Sequence, residues 1–191
     1  MPKDKASIKI SEPCASCAVR CCNRFAVPIT VFDAARICKK LKCRPEEFAA
    51  LADAKNIEPS IHSGIFIFHD GFLEERLLTL LRLPNNFCIF SRHLQGCAIW
   101  GFHPTVCQAY PFILGEDISL AYTKNFACMR KWQDNEYNKK KMLKLAMQNH
   151  VEIMMHNKIV REWNAKKANK GGEKEFWKFA LAKAKKGLDW K

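Results

Sequence analysis

The chain has 191 residues, 48% of them apolar, and a formal net charge of +13. That length can bury a sizeable core in one domain, so folding has no need of disulfides. No stretch approaches the roughly 18 uninterrupted apolar residues of a membrane span, and the charged opening Met-Pro-Lys-Asp-Lys is followed by no apolar signal-peptide core. The expectation is a cytoplasmic protein with no membrane contact, in which thiols stay reduced. Ten cysteines in such a chain point to metal or redox chemistry rather than to a disulfide framework.

Residues 1–13 are polar. Cys14-Ala-Ser-Cys17-Ala-Val-Arg-Cys21-Cys22 then sets four thiols within nine residues. Cys14 and Cys17 have the C-x-x-C spacing that lets two sulfurs reach one metal from a single tight turn. Cys21 is close enough to join them. Cys22 is adjacent to Cys21, so one of the pair is expected to face the first metal and the other to face a second metal or to bridge to it.

Val27-Pro28-Ile29 reads as extended, because proline disfavours helix in the residue before it. Thr30 with Asp33 has the pattern of a helix start, threonine capping and aspartate reciprocating. Phe32, Ala35, Ile37 and Leu41 give that helix an apolar side. A second helix is predicted from Pro45 through Leu51. Ile65–His69 is a compact apolar run ended by the turn dipeptide Asp70-Gly71, and a strand near 77–83 is expected to pair with it.

The second cysteine block follows: Cys88-Ile-Phe, then Gly96-Cys97-Ala-Ile-Trp100, then His103-Pro104-Thr-Val-Cys107-Gln-Ala-Tyr110-Pro111-Phe112. Glycine and proline break every candidate helix here, so these cysteines fall on turns and element ends, where ligands can converge. Ile118–Tyr122 reads as a last short strand, and Cys128 follows it. With the first block, Cys88, Cys97, Cys107 and Cys128 make eight thiols, enough for two four-thiolate sites or one larger cluster. Cys38 and Cys43 stand outside this set and read as inert buried thiols. His93 and His103 are secondary candidates for replacing a thiol. No catalytic base or nucleophile is evident, and no phosphate-binding glycine motif is present.

After Asp134 the pattern turns helical. Leu143, Met147, Val151 and Met154 line one apolar stripe of a long helix. A last helix is predicted from Glu173 to Lys186, with Phe176, Phe179 and Ala180 on its apolar side and Gly187 as its stop. Residues 129–191 hold 17 Lys/Arg against 7 Asp/Glu, a net of +10, whereas residues 1–128 are close to balanced at +3. Lysines interleaved with Trp163, Phe176, Trp177, Phe179 and Trp190 make a nucleic-acid surface conceivable, with Lys166, Lys167, Lys183, Lys185 and Lys186 as its contacts. The plainer reading is a solvated lysine face with the aromatics docked on the domain.

The two cysteine blocks together, Cys14-x-x-Cys17-x-x-x-Cys21-Cys22 and Cys88…Cys97…His103-Pro104-x-x-Cys107-Gln-Ala-Tyr110-Pro111-Phe112, resemble the cysteine-cluster family described as a zinc- or iron-chelating domain. YkgJ-like proteins and flagellin lysine N-methylases belong to that family. The resemblance covers residues 14–128 and implies metal chelation by zinc or an iron–sulfur cluster. The family's common form has Arg-Pro and Cys-Arg where this chain has His103-Pro104 and Cys107-Gln108.

The sequence thus predicts an α+β protein: a cysteine-rich metal-binding domain with a short antiparallel sheet over 1–128, and a basic helical extension over 129–191 packed on it. The expected function is metal binding by Cys14, Cys17, Cys21, Cys22, Cys88, Cys97, Cys107 and Cys128, with an unidentified protein as partner. Two alternatives stand beside it: a relative of the protein-lysine N-methyltransferases, and a nucleic-acid- or ribosome-associated module.

Overall fold

A computed structural model describes residues 25–57, 62–92, 96–123, 138–166 and 171–188. Val27-Pro28-Ile29 is extended, as its proline predicts, and lies against Leu78–Leu80. The Leu80 N–H donates to the Val27 carbonyl at 2.9 Å and the Ile29 N–H to the Leu78 carbonyl at 3.0 Å. Pro28 faces Thr79, where the pairing asks for no donor.

Helix α1 (Val31–Leu41) begins at the expected box. Thr30 Oγ1 accepts from the Asp33 N–H at 3.1 Å, and Asp33 Oδ2 accepts from the Thr30 N–H at 2.9 Å. The helix ends at Lys42 in the left-handed conformation. The second predicted helix does not form. Pro45–Glu47 makes one 3-10 turn, and Ala49–Asp53 is a strand, β1. Alanine and leucine favour helix locally, but here they lie along the edge of a longer strand, and that pairing overrides the propensity.

Strand β2 (Ile65–His69) and strand β3 (Phe72–Leu80) form the expected hairpin, turning at Asp70 (φ 48°) and Gly71 (φ 86°). The register differs from expectation. Ile65–His69 pairs with Phe72–Arg76, whereas Leu77–Leu80 pairs with β1, giving the antiparallel order β1-β3-β2. Two short antiparallel pairs follow, β4 (Ser91–Arg92) with β5 (Gly96–Cys97), and β6 (Phe112–Leu114) with β7 (Leu120–Tyr122). The single helical turn α2 (Thr105–Ala109) lies between β5 and β6.

Helix α3 (Lys139–Lys166) seals the outer edge of β2. Asn164 accepts from the Phe66 N–H at 3.0 Å and donates to the Gly64 carbonyl at 2.8 Å. Trp163 donates to the Phe66 carbonyl and Asn157 accepts from the Ser63 N–H. Satisfying an open strand edge with side chains removes a template for unwanted pairing.

This docking also turns the helix over relative to the prediction. Met147, Val151 and Met154 are exposed, at 43%, 45% and 53%, while Ala146, Glu152, Ile153, His156, Asn157, Ile159, Val160 and Trp163 face inward. A polar side faces inward because Glu152, His156 and Asn157 each have a specific partner there.

Helix α4 (Glu173–Leu188) packs on α1. Its Phe176, Trp177, Ala180 and Ala184, with Trp163, share one hydrophobic cluster with Ile29, Phe32, Ile37, Ile65 and Leu78. The predicted boundary at 128/129 lies outside the described residues. Gly187 does not stop the helix; it lets α4 approach α1. A Cβ there would sit 2.9 Å from the Phe32 ring and 3.3 Å from Met155 Cε. Phe32 is buried and has nowhere to move. Gly187→Ala should therefore cost about 1–3 kcal/mol by overpacking, read as a lower denaturation midpoint with unchanged slope. An unshifted midpoint would show that the helices are not so closely apposed.

Mixed helix with short antiparallel sheets is the class the sequence predicted. Among the described residues no helix is long and apolar enough to cross a membrane.

Candidate metal centre

Cys88 is buried within the main hydrophobic cluster, beside half-buried Ile89 and Phe90. It lies just past the end of β3. The Ile89 N–H donates to the Leu81 carbonyl at 3.0 Å and Cys88 bridges to Arg82. The chain then turns back, the Ser91 N–H donating to the Cys88 carbonyl at 2.8 Å, and Ser91 pairs directly with Cys97. One hairpin therefore carries both thiols, and Cys97 packs half-buried against the same cluster. Phe90 is tilted against buried Phe48 with ring centroids 5.8 Å apart.

Cys107 sits in the middle of α2, and a distant residue holds that turn in place. The Thr105 N–H donates to Asp33 Oδ1 at 2.9 Å, and the Thr105 hydroxyl donates to Asn149 Oδ1 at 3.0 Å. Gln108 Nε2 donates to the His103 carbonyl at 2.6 Å, closing the turn. Asp33 thus caps α1 with one oxygen and anchors α2 with the other. Its side chain is almost fully buried, as is that of Glu152, and Arg36 joins the two. Arg36 makes a bidentate pair with Glu152, both contacts at 2.7 Å, and reaches Asp33 Oδ1 at 2.5 Å. Such forked charge-assisted bonds fix geometry as well as charge.

Cys14, Cys17, Cys21, Cys22, Cys128 and His93 lie outside the described residues. Among the described residues, no three of His, Cys, Asp or Glu are grouped so as to hold a metal ion. Cys88, Cys97 and Cys107, the described members of the expected ligand set, thus form no complete site among the described residues. Thiolates of this kind suit zinc or iron, and a complete site needs ligands from outside the described residues.

Cys38 and Cys43 are free, half-buried thiols packed against the core. Burial, with the charges of Cys43, Glu46 and Glu47, pushes Cys38 up to about 11. Burial and then Glu47 also raise Cys43. Both shifts favour the thiol over the thiolate, the form that attacks as a nucleophile.

His103 stacks on Trp100, with centroids 4.6 Å apart, and its Nδ1 accepts from the Gly101 N–H at 3.2 Å. Burial lowers it to about 4 against the opposing pull of Asp33. Sequence reading missed a second histidine pair. His156 on α3 accepts weakly from the Val31 N–H through Nδ1 at 3.4 Å, and among the described residues its Nε2 has no hydrogen-bond partner. His62 stands edge-on to it at 5.5 Å. Burial lowers His156 to about 3, with His62 adding to the effect, and burial lowers His62 to about 4. No motif marks this pair, because its members are 94 residues apart and meet only when α3 docks.

A pH dependence follows. A histidine whose folded value lies below its unfolded value of about 6.5 binds more protons when unfolded, so stability rises with pH. The contribution of His156 is full above about pH 6.5 and is lost as pH falls toward 3. Wild type should lose stability steadily between pH 6.5 and 4, and His156→Phe should flatten that slope, as measured by denaturant unfolding. Parallel slopes in the two proteins would contradict a neutral buried imidazole.

No family model, curated protein or solved structure matches the chain.

Proposed function

We propose that the chain is a metal-binding protein whose centre, zinc or an iron–sulfur cluster, is held by Cys14, Cys17, Cys21, Cys22, Cys88, Cys97, Cys107 and Cys128. One observation carries the reading: the two cysteine blocks are tethered to the same end of β3. Val27 bonds to Leu80, the last residue of β3, and Cys88 bridges to Arg82, two residues past it. Cys22 is five positions before Val27, a reach of at most about 18 Å even when fully extended. The first block can therefore meet Cys88 without moving the sheet. Cys107 is held to the same region through Thr105 and Asp33, six residues after Val27.

The surroundings fit a thiolate centre. Cys88 and Cys97 lie among Ile89, Phe90 and Ile99, a water-poor shell of the kind that tunes an iron–sulfur potential and equally shields a structural zinc. The His103-Pro104 and Cys107-Gln108 departures leave the thiols in place. Gln108 takes a backbone-closing role here, with no charge for an anion.

The nucleic-acid reading of the last two helices loses three of its five rings: Trp163, Phe176 and Trp177 are buried, Phe179 is half-buried against the core, and Trp190 lies outside the described residues. Lys166 and Lys183 both pair with Glu162. Nothing observed favours the methyltransferase reading.

Anaerobic purification, elemental analysis and an absorption spectrum test the proposal. Iron with acid-labile sulfide and a visible band would identify the cluster, and stoichiometric zinc in a colourless protein would identify a structural site. Neither metal, after expression with both supplied, would overturn the proposal.

A further inference from the structure

Helix α3 buries charge and exposes apolar side chains, and the fold gains nothing from the exposed part. At 100° per residue, Lys140, Lys144, Met147, Val151, Met154, Lys158 and Arg161 fall within one stripe of about 100°. All seven are exposed. The stripe is ordered along the helix, with two lysines, then Met147, Val151 and Met154 at i, i+4 and i+7, then Lys158 and Arg161. From Lys144 to Arg161 it spans about 25 Å. Among the described residues none of Lys144, Lys158 and Arg161 has an ion pair. Both carboxylates of the helix are taken, Glu152 by Arg36 at 2.7 Å and Glu162 by Lys166 at 3.1 Å and Lys183 at 2.8 Å.

We infer that this stripe, Met147, Val151 and Met154 bracketed by Lys144 and by Lys158 with Arg161, is a docking surface for an acidic amphipathic helix of a partner protein. The charge pattern selects that occupant. A helix laid along α3 would set apolar residues at i, i+4 and i+7 over the methionines and valine, with Asp or Glu at both of its ends over the cations. Methionine suits such a face because its flexible, polarizable chain adapts to a partner's surface. The shape argues against other occupants. A membrane surface selects Trp, Phe or Leu with cations along both sides of the stripe, whereas here the cations lie at its two ends. A single-stranded nucleic acid stacks its bases on exposed aromatic rings, and the stripe has none; a duplex backbone calls for a continuous run of cations, and three apolar residues interrupt this one. A second copy of the same face would bring lysine against lysine.

The test uses the full chain and a fluorescein-labelled synthetic helix carrying Glu in its first and last turns and Leu at i, i+4 and i+7 between them. Fluorescence anisotropy should show binding that weakens with salt, at least tenfold weaker in Met147→Glu/Met154→Glu and at least tenfold weaker for a peptide with Lys in place of Glu. Lys144→Glu/Arg161→Glu should reduce both affinity and salt dependence, and Lys174→Glu on α4 should change neither. These positions are exposed, so thermal melts should match wild type and report intact folding. Absent binding, equal binding of the lysine peptide, or unaltered binding by the Met147/Met154 variant would overturn the inference. So would loss in that variant of binding to phosphatidylserine vesicles, or of self-association in sedimentation, without loss of peptide binding.

Discussion

Cys107→Ser and Cys17→Ser should each release the metal and lower the melting temperature of the full chain, whereas Cys38→Ala should keep the metal. The three variants separate ligands from bystanders by position. Cys107 is half-buried on a turn pinned by Asp33, so serine there removes a ligand without opening a core cavity. Cys17 lies in the other block, so concerted loss would show that both blocks serve one centre. Cys38 remains protonated against the core, and its truncation should cost about 1 kcal/mol or less. Structural thiolate sites contribute on the order of 10 kcal/mol to folding. At about 2–4 °C per kcal/mol for a chain of this size, losing a good part of that lowers the midpoint by on the order of 10 °C or more. Metal retained in Cys17→Ser or Cys107→Ser, measured by elemental analysis, would remove that residue from the ligand set.

The second large effect belongs to Arg36→Met. Asp33 and Glu152 are buried carboxylates, and Arg36 is the cation between them. Removing it leaves two buried negative charges facing each other with part of their hydrogen bonding gone. Breaking a buried pair from one side costs about 3–5 kcal/mol. Asp33 retains Thr30 and the Thr105 N–H, and Glu152 retains Gln148 at 2.9 Å, which places the expected loss toward the lower end. Replacing both partners removes the stranded charge, so Arg36→Met/Glu152→Leu should recover part of the deficit. Denaturant unfolding of the single and double variants measures the coupling. Additive losses would show that the two residues do not share one buried network.

The local features of this fold are legible in the sequence. The Thr30–Asp33 box, the Asp70-Gly71 turn and the apolar run Ile65–His69 form as predicted, because each depends on neighbours within a few residues. What is not legible depends on distant partners. Ala49–Asp53 has a helical composition and becomes a strand because β3 has an edge for it. Met147, Val151 and Met154 look like a core face, yet the face that is buried carries Glu152, His156 and Asn157, whose partners are 116, 125 and 94 residues away. Asp33 reads as an ordinary cap, and its second role toward Thr105 spans 72 residues. The same limit applies to the centre. The cysteine blocks are visible as residue types at a spacing, but the proposal that they meet rests on Val27 bonding to Leu80 and Cys88 bridging to Arg82, contacts that no motif records.

X-ray absorption at the edge of the bound metal, on the anaerobically purified full chain, tests the central claim most directly, because it reads the ligand atoms themselves. The account predicts a first shell of sulfur alone, near 2.3 Å for zinc, and the same shell whichever metal is present. A first shell of nitrogen or oxygen near 2.0–2.1 Å would contradict it, since histidine or carboxylate would then hold the metal in place of the two cysteine blocks.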